Sequence, residues 1–268
     1  MTPPLAERYV AGLAAEALTH RACMHPYLQA MSSGSLPDLH GALRDFADHY
    51  HGYSSQFPRY LTAVISRLEN PHHRRCLLDN LNEESGHYDD DDLAILKGVG
   101  IEPAWIVGIP HPELFARFRT ALGLPCSSAA EEHIEVRCWR ELFLGVLSHG
   151  SAAEAVGALG LGTEGIVQTI YRPFQSAIRH LEGLQPRDCV FFALHTCVDD
   201  HHQETLRRIA ADFASTAEGR RDLATGMHKA LKLRDSFWSW LHGRALKPGD
   251  RQPAAIGATL DVGSPDPR

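Results

Sequence analysis

Apolar residues three and four apart recur along nearly the whole chain, while alternating apolar and polar runs are almost absent. That pattern restricts the chain to a fold built from helices. Residues 5–31, 38–50, 58–69 and 73–86 carry it, and so do 112–122, 128–149, 151–180, 186–213 and 217–242. The segment "PELFARFRTAL" over 112–122 opens with Pro at the first helical position and stops at Gly123, which is normal start and stop chemistry. The best strand candidate, "AWIVGI" at 104–109, is short. An all-α domain over residues 1–246 with seven or eight helices follows. Residues 247–268, "KPGDRQPAAIGATLDVGSPDPR", lack periodicity and read as a disordered tail.

Composition narrows the function classes. The 268 residues are 44% hydrophobic, enough for a substantial core. A net charge of −7 argues against a nucleic-acid partner, which needs a basic face. The six cysteines form no CxxC pair and read as reduced thiols of a cytoplasmic chain. The opening "MTPPLAERYV" has neither the basic nor the apolar region of a signal peptide. No apolar run approaches the roughly 20 residues that cross a bilayer. The C-terminal helix, with Phe237, Trp238 and Trp240, could lie on a membrane surface, but such helices more often dock on their own domain or on a second subunit.

Seventeen histidines are unusual, and "HTCVDDHHQE" crowds three of them beside two aspartates. On a helix, His195, Asp199 and His202 fall within roughly a 60° arc of one face, while Asp200, His201 and Cys197 point elsewhere. Two other elements can add ligands to that face. In "LLDNLNEESGH", Glu84 shares the apolar stripe of Leu77 and Leu81, and Glu83 is rotated outward. Glu164, Gln168 and Tyr171 follow one stripe of the element that contains Pro173, which kinks or breaks a helix. A histidine is then wanted, either His111 at the mouth of "PELFARF" or His87 just after Glu83. Carboxylates and imidazoles without thiolates suit iron or manganese and disfavour structural zinc.

Other motifs are weaker. "GLGTEG" at 160–165 matches a dinucleotide fingerprint, but helical sequence precedes it where a strand is required. A metal-free binding protein with a hydrogen-bonded polar core is an alternative, and such a network is tolerated only when fully satisfied. Haem binding through one histidine leaves the carboxylates on the same face unexplained.

Taken together, "HYHGYSSQFPRYL", "NLNEESG", "HPELFARFRTALG", Glu164 in "TEGIVQTIY" and His195-x3-Asp199-x2-His202 resemble the haem-oxygenase-like diiron oxidase family, over most of residues 40–210. Thiaminases and a cofactor-ring oxidase share that fold without metal. The resemblance implies a seven-helix haem-oxygenase-like bundle without haem, with Glu84, His111, Glu164, His195, Asp199 and His202 as ligands. It implies two Fe(II) ions, dioxygen as co-substrate, and homodimerisation. The first Glu and the His lie farther apart than in compact members. The intervening stretch keeps His87 in play and offers Asp90, Asp91 and Asp92 as an added carboxylate.

The family's activities include fatty-acid decarboxylation, desaturation or C–C cleavage of amino acids, and N-oxygenation of amines and guanidines, many of them in natural-product pathways. A mixed polar lining of Gln168, Tyr171 and Arg172 favours a small amino acid or amine. Arg172 could pair with a substrate carboxylate bidentately, or lie on the surface beside Pro173. Desaturation is the expected reaction and N-oxygenation the near alternative.

Overall fold

The computed structural model describes residues 4–125, 132–197 and 199–247; the side chains of 197–202 lie outside that description. The helices are α1 (Leu5–Thr19), α2 (Pro26–Ser33), α3 (Leu39–Ser54), α4 (Phe57–Arg67), α5 (Pro71–Glu84), α6 (Asp90–Gly98) and α7 (His111–Ala121). There follow α8 (Ile134–His149), α9 (Ala152–Val156), α10 (Val167–Arg179), α11 (Val190–Cys197), α12 (Asp199–Phe213) and α13 (Ala217–Leu246). The result is an all-α bundle, with no strand among the described residues. The residues of "AWIVGI" instead form part of a 3₁₀ turn, Pro103–Trp105, and the bend after it. The expected tail lies outside the described residues from 248 onward.

The helices outnumber the expected seven because local chemistry subdivides the long periodic stretches. The first ends at Thr19, and α2 restarts on its own cap. There His25 Nδ1 accepts from Tyr27 N, Pro26 takes the first helical position, and Gly34 closes the helix at φ 66°. The insertion after Glu84 makes the additional helix α6, capped by Asp89. The stretch at 151–180 divides where a π turn, Gly157–Leu161, and a 3₁₀ turn, Glu164–Ile166, separate α9 from α10. Pro173, in contrast, sits within a continuous α10.

Helix α13 runs along one side of the bundle, against α8, α9, the π turn and α3. Two glycines let it come that close. A Cβ on Gly157 would sit 2.1 Å from the Leu223 carbonyl oxygen, and one on Gly226 would sit 1.9 Å from that of Glu154. Phe237 and Trp238 are buried in the core, so α13 docks on its own domain. Truncating an aromatic so placed costs about 3–5 kcal/mol. An aromatic floor joins these helices: Phe46 of α3 stacks on Phe174 of α10 at 3.8 Å, and Tyr53 stacks on Trp139 of α8 at 3.8 Å.

Candidate metal centre

Glu84 ends α5 and is 3% exposed. Asn70 Oδ1 caps the start of α5 by accepting from His72 N at 2.9 Å, and Pro71 sets the first turn. Chain direction reverses immediately after Glu84, at Gly86, where φ is 84°. A Cβ here would lie 2.6 Å from Ile109 N, so only glycine admits the returning strand of backbone. The Gly108 N–H donates to the Gly86 carbonyl at 2.9 Å. This closure is the neck of the insertion. It brings His111, the first residue of α7, back against Glu84 across 27 positions of sequence (111 less 84).

Glu84, His111 and His195 each offer a ligand-type atom, and these atoms all lie within 4.8 Å of one another. His111 Nδ1 is 3.0 Å from Glu84 Oε1, yet this buried nitrogen makes no hydrogen bond. The two groups are adjacent without being directed at each other. His195 Nε2 is 3.9 Å from the same oxygen, and the two imidazoles meet edge-on at 4.8 Å.

The opposite nitrogen of each ring is held from outside. His195 Nδ1–H donates to the Phe191 carbonyl at 2.7 Å, which leaves Nε2 with the lone pair. His111 Nε2 lies 2.7 Å from the Tyr88 hydroxyl. If that nitrogen carries the proton, Nδ1 keeps its lone pair. Fixing the outer nitrogen in this way is how proteins orient metal-bound imidazoles. Burial, with the Glu84 and Glu83 charges beside it, pushes the Tyr88 phenol well above its usual range, so it stays protonated.

Glu164 is 2% exposed and lines the same cavity as Glu84, His111 and His195. It belongs to the 3₁₀ turn that precedes α10, not to the helix itself. The neighbouring Thr163 hydroxyl donates to the Ala158 carbonyl at 3.0 Å, which ties this turn to the π turn. The remaining walls come from Tyr50, Tyr53, Ser54, Phe57, Val167, Tyr171, Phe191 and Arg234. These residues surround about 400 Å³ of space, a figure that includes the open solvent at its mouth. Oxygen and nitrogen groups that converge from three helices, with His111 Nδ1 making no hydrogen bond, fit a hard or borderline cation such as iron.

Asp199 and His202 lie on the backbone of α12, but their side chains fall outside the described residues. His87 is exposed, and His111 takes the place beside Glu84. Asp90 and Asp91 are exposed in the first turn of α6, where their charge favours the helix N-terminus. The lining expected from Gln168, Tyr171 and Arg172 needs correction. Tyr171 lines the cavity, but Arg172 is exposed, and Gln168 is half-buried beside it without reaching the cavity. The stripe fails because the 3₁₀ turn shifts Glu164 out of helical register with α10.

The residue that sequence reasoning missed is Arg234 of α13, which is 1% exposed. Its two terminal nitrogens lie 3.4 Å from the hydroxyls of Tyr50 and Tyr53. Its guanidinium also faces the rings of Tyr53, Trp139 and Trp238 at 5.3–5.9 Å. Burial opposes its charge, but the surrounding tyrosines outweigh that and keep it a cation. In sequence, Arg234 looks like one more charge on a basic helix. Its sole signal is the i+3, i+4 placement of Phe237 and Trp238 on the same face.

Known proteins extend these observations. Residues 44–235 match the model of a family described as iron-containing redox enzymes. The chain is 25% identical over 220 residues to a 4-aminobenzoate synthase of Chlamydia muridarum, covering 80% of this chain and 83% of that protein. It is 22% identical over 243 residues to a 4-chloro-allylglycine synthase of Streptantibioticus cattleyicolor, covering 88% of this chain and 83% of that one. In fold it is similar to a CADD-like protein of Nostoc punctiforme, with a TM-score of 0.71 at 15% identity over 91% of this chain and all of the other. A TenA homologue of Pseudomonas syringae superposes with a TM-score of 0.68 at 13% identity, over 91% and 98% of the two chains.

Proposed function

Because this chain belongs to the family of iron-containing redox enzymes, we propose that it is an oxygen-dependent diiron oxidase acting on a small amino acid or amine. The observation that carries this reading is the convergence of Glu84, His111 and His195 on one point inside the protein. Glu164 adds a second carboxylate from the same cavity. Asp199 and His202 complete the set of six on the strength of their spacing after His195. Three carboxylates and three imidazoles largely neutralise two divalent cations, a donor set common to helical bundles that hold paired iron. Bound ferrous iron supplies the reducing electrons for dioxygen.

The chain's own groups have separate tasks. Tyr88 and the Phe191 carbonyl orient the two imidazoles. Phe57, Val167 and Phe191 keep water from the cavity walls. The Tyr50 and Tyr171 hydroxyls bond each other at 2.8 Å and fix one wall. A cavity edged by tyrosines and charged groups suits a polar substrate better than a long-chain acid. Both curated relatives are named for compounds that carry an amino group and a carboxylate, and many related activities serve natural-product pathways.

The test is oxygen uptake by the iron-loaded protein with pooled amino acids and amines, followed by product mass. One compound that accelerates uptake and loses two hydrogens supports desaturation; a gain of oxygen moves the reading to N-oxygenation. No compound-dependent uptake by iron-replete protein contradicts the proposal.

A further inference from the structure

We propose that Arg234 is the receptor for a carboxylate on the substrate, which makes this a site for small carboxylic acids; the inference rests on the oxidase reading and narrows its substrate class. A buried guanidinium carries five N–H donors and a full charge, and its desolvation is costly unless a counter-charge answers it. Among the described residues no carboxylate lies within ion-pair distance of Arg234. Its hydrogen-bonding partners are two tyrosine hydroxyls at 3.4 Å, and its Nε makes no hydrogen bond.

Arg119, equally buried, shows the usual alternative: Asp48 Oδ1 answers it at 2.7 Å. Among the described residues Arg234 has no such partner, and it faces the cavity that also contains Glu84, Glu164, His111 and His195. With the ligand carboxylates neutralised by metal, Arg234 is, among the described residues, the charge left without a counter-charge in that cavity. A planar carboxylate matches its fork bidentately, and the hydroxyls of Tyr50 and Tyr53 stand beside the fork as further donors.

The arrangement also sets an orientation. Tyr50 links the arginine to Tyr171, whose ring stands edge-on to His195 at 5.7 Å. A small acid anchored on Arg234 therefore extends its other end towards the histidines, where oxidation occurs.

The test uses the full-length, iron-loaded chain without oxygen. Acetate, benzoate and L-allylglycine are each titrated against the matching carboxamide, and tryptophan fluorescence is read, since Trp139 and Trp238 flank the guanidinium. At least one acid is expected to bind tenfold or more tightly than its carboxamide. Arg234→Gln is expected to abolish that preference with iron content unchanged, and Arg234→Lys to restore part of it. If no acid is preferred over its carboxamide, or if Arg234→Gln keeps the preference through direct binding to iron, the inference is overturned. The wild-type comparison decides the matter even if the glutamine variant does not fold. Iron counts on the same samples separate this failure from failure of the oxidase reading: protein without iron that still prefers acids overturns the oxidase alone.

Discussion

The two ends of α5 each bring a histidine and a carboxylate together, with opposite geometry. At the start, His73 Nε2 and Asp212 Oδ2 lie 2.8 Å apart as an ordinary hydrogen-bonded pair, with Asp212 largely in water. At the end, Glu84 and His111 lie 3.0 Å apart and almost fully buried, yet His111 Nδ1 makes no hydrogen bond. The first pair is complete by itself. The second converges on a space between the groups that a third ligand, His195, also faces. Proximity of acid and imidazole is therefore a poor guide to function; the direction of the lone pairs separates a structural pair from a metal centre.

Removing a ligand should break the contrast most sharply. Glu84→Ala or His195→Ala should lower iron affinity by more than the roughly 10–100-fold that loss of an outer partner costs. Asp212→Ala should leave the iron content unaltered. Metal analysis after anaerobic loading reads both.

Gly86→Ala attacks the neck that delivers His111. The new Cβ would meet the Ile109 backbone at a φ of 84°, and the strain should cost about 1–3 kcal/mol and weaken iron retention together. Urea unfolding of the metal-free protein, with metal analysis alongside, checks both effects.

Asp45 offers a third kind of acid–histidine contact, reinforced by Arg244 at 2.7 Å and His49 at 3.2 Å. Burial alone would raise its carboxyl, but the bonds from Arg244 and His49 hold it down at about 2. Because this value lies below that of an unfolded aspartate, the contribution is full above about pH 4 and is lost as pH falls towards 2. Asp45→Asn should cost about 2 kcal/mol at neutral pH and progressively less in acid. Denaturation at several pH values tests the sign.

Tyr88→Phe removes the outer hold on His111 and should weaken iron binding about tenfold. The smallest effect on stability belongs to Asp212→Asn, at the exposed end of the pair with His73. That carboxylate is 69% exposed, so the stability change should stay below about 1 kcal/mol.

How much of this was legible in the sequence follows from the range of each cause. The helical bundle was legible because periodicity is local, and Glu84 was legible because it shares a stripe with Leu77 and Leu81. His111 could be placed only alongside His87. The choice between them depends on a 27-residue closure through Gly86, which spacing alone cannot reveal. The stripe of Glu164, Gln168 and Tyr171 does not hold together in the structure because a π turn and a 3₁₀ turn break register just before α10. Arg234 was invisible because its burial comes from α3 and α8, more than 80 residues away in sequence.

The most direct measurement is iron per chain after anaerobic loading and gel filtration, for the wild type beside Glu84→Ala and Asp212→Ala. The account predicts about two irons in the wild type and in Asp212→Ala, and a clear loss in Glu84→Ala. A wild-type chain that retains no iron, or a Glu84→Ala chain that retains as much as the wild type, would contradict it.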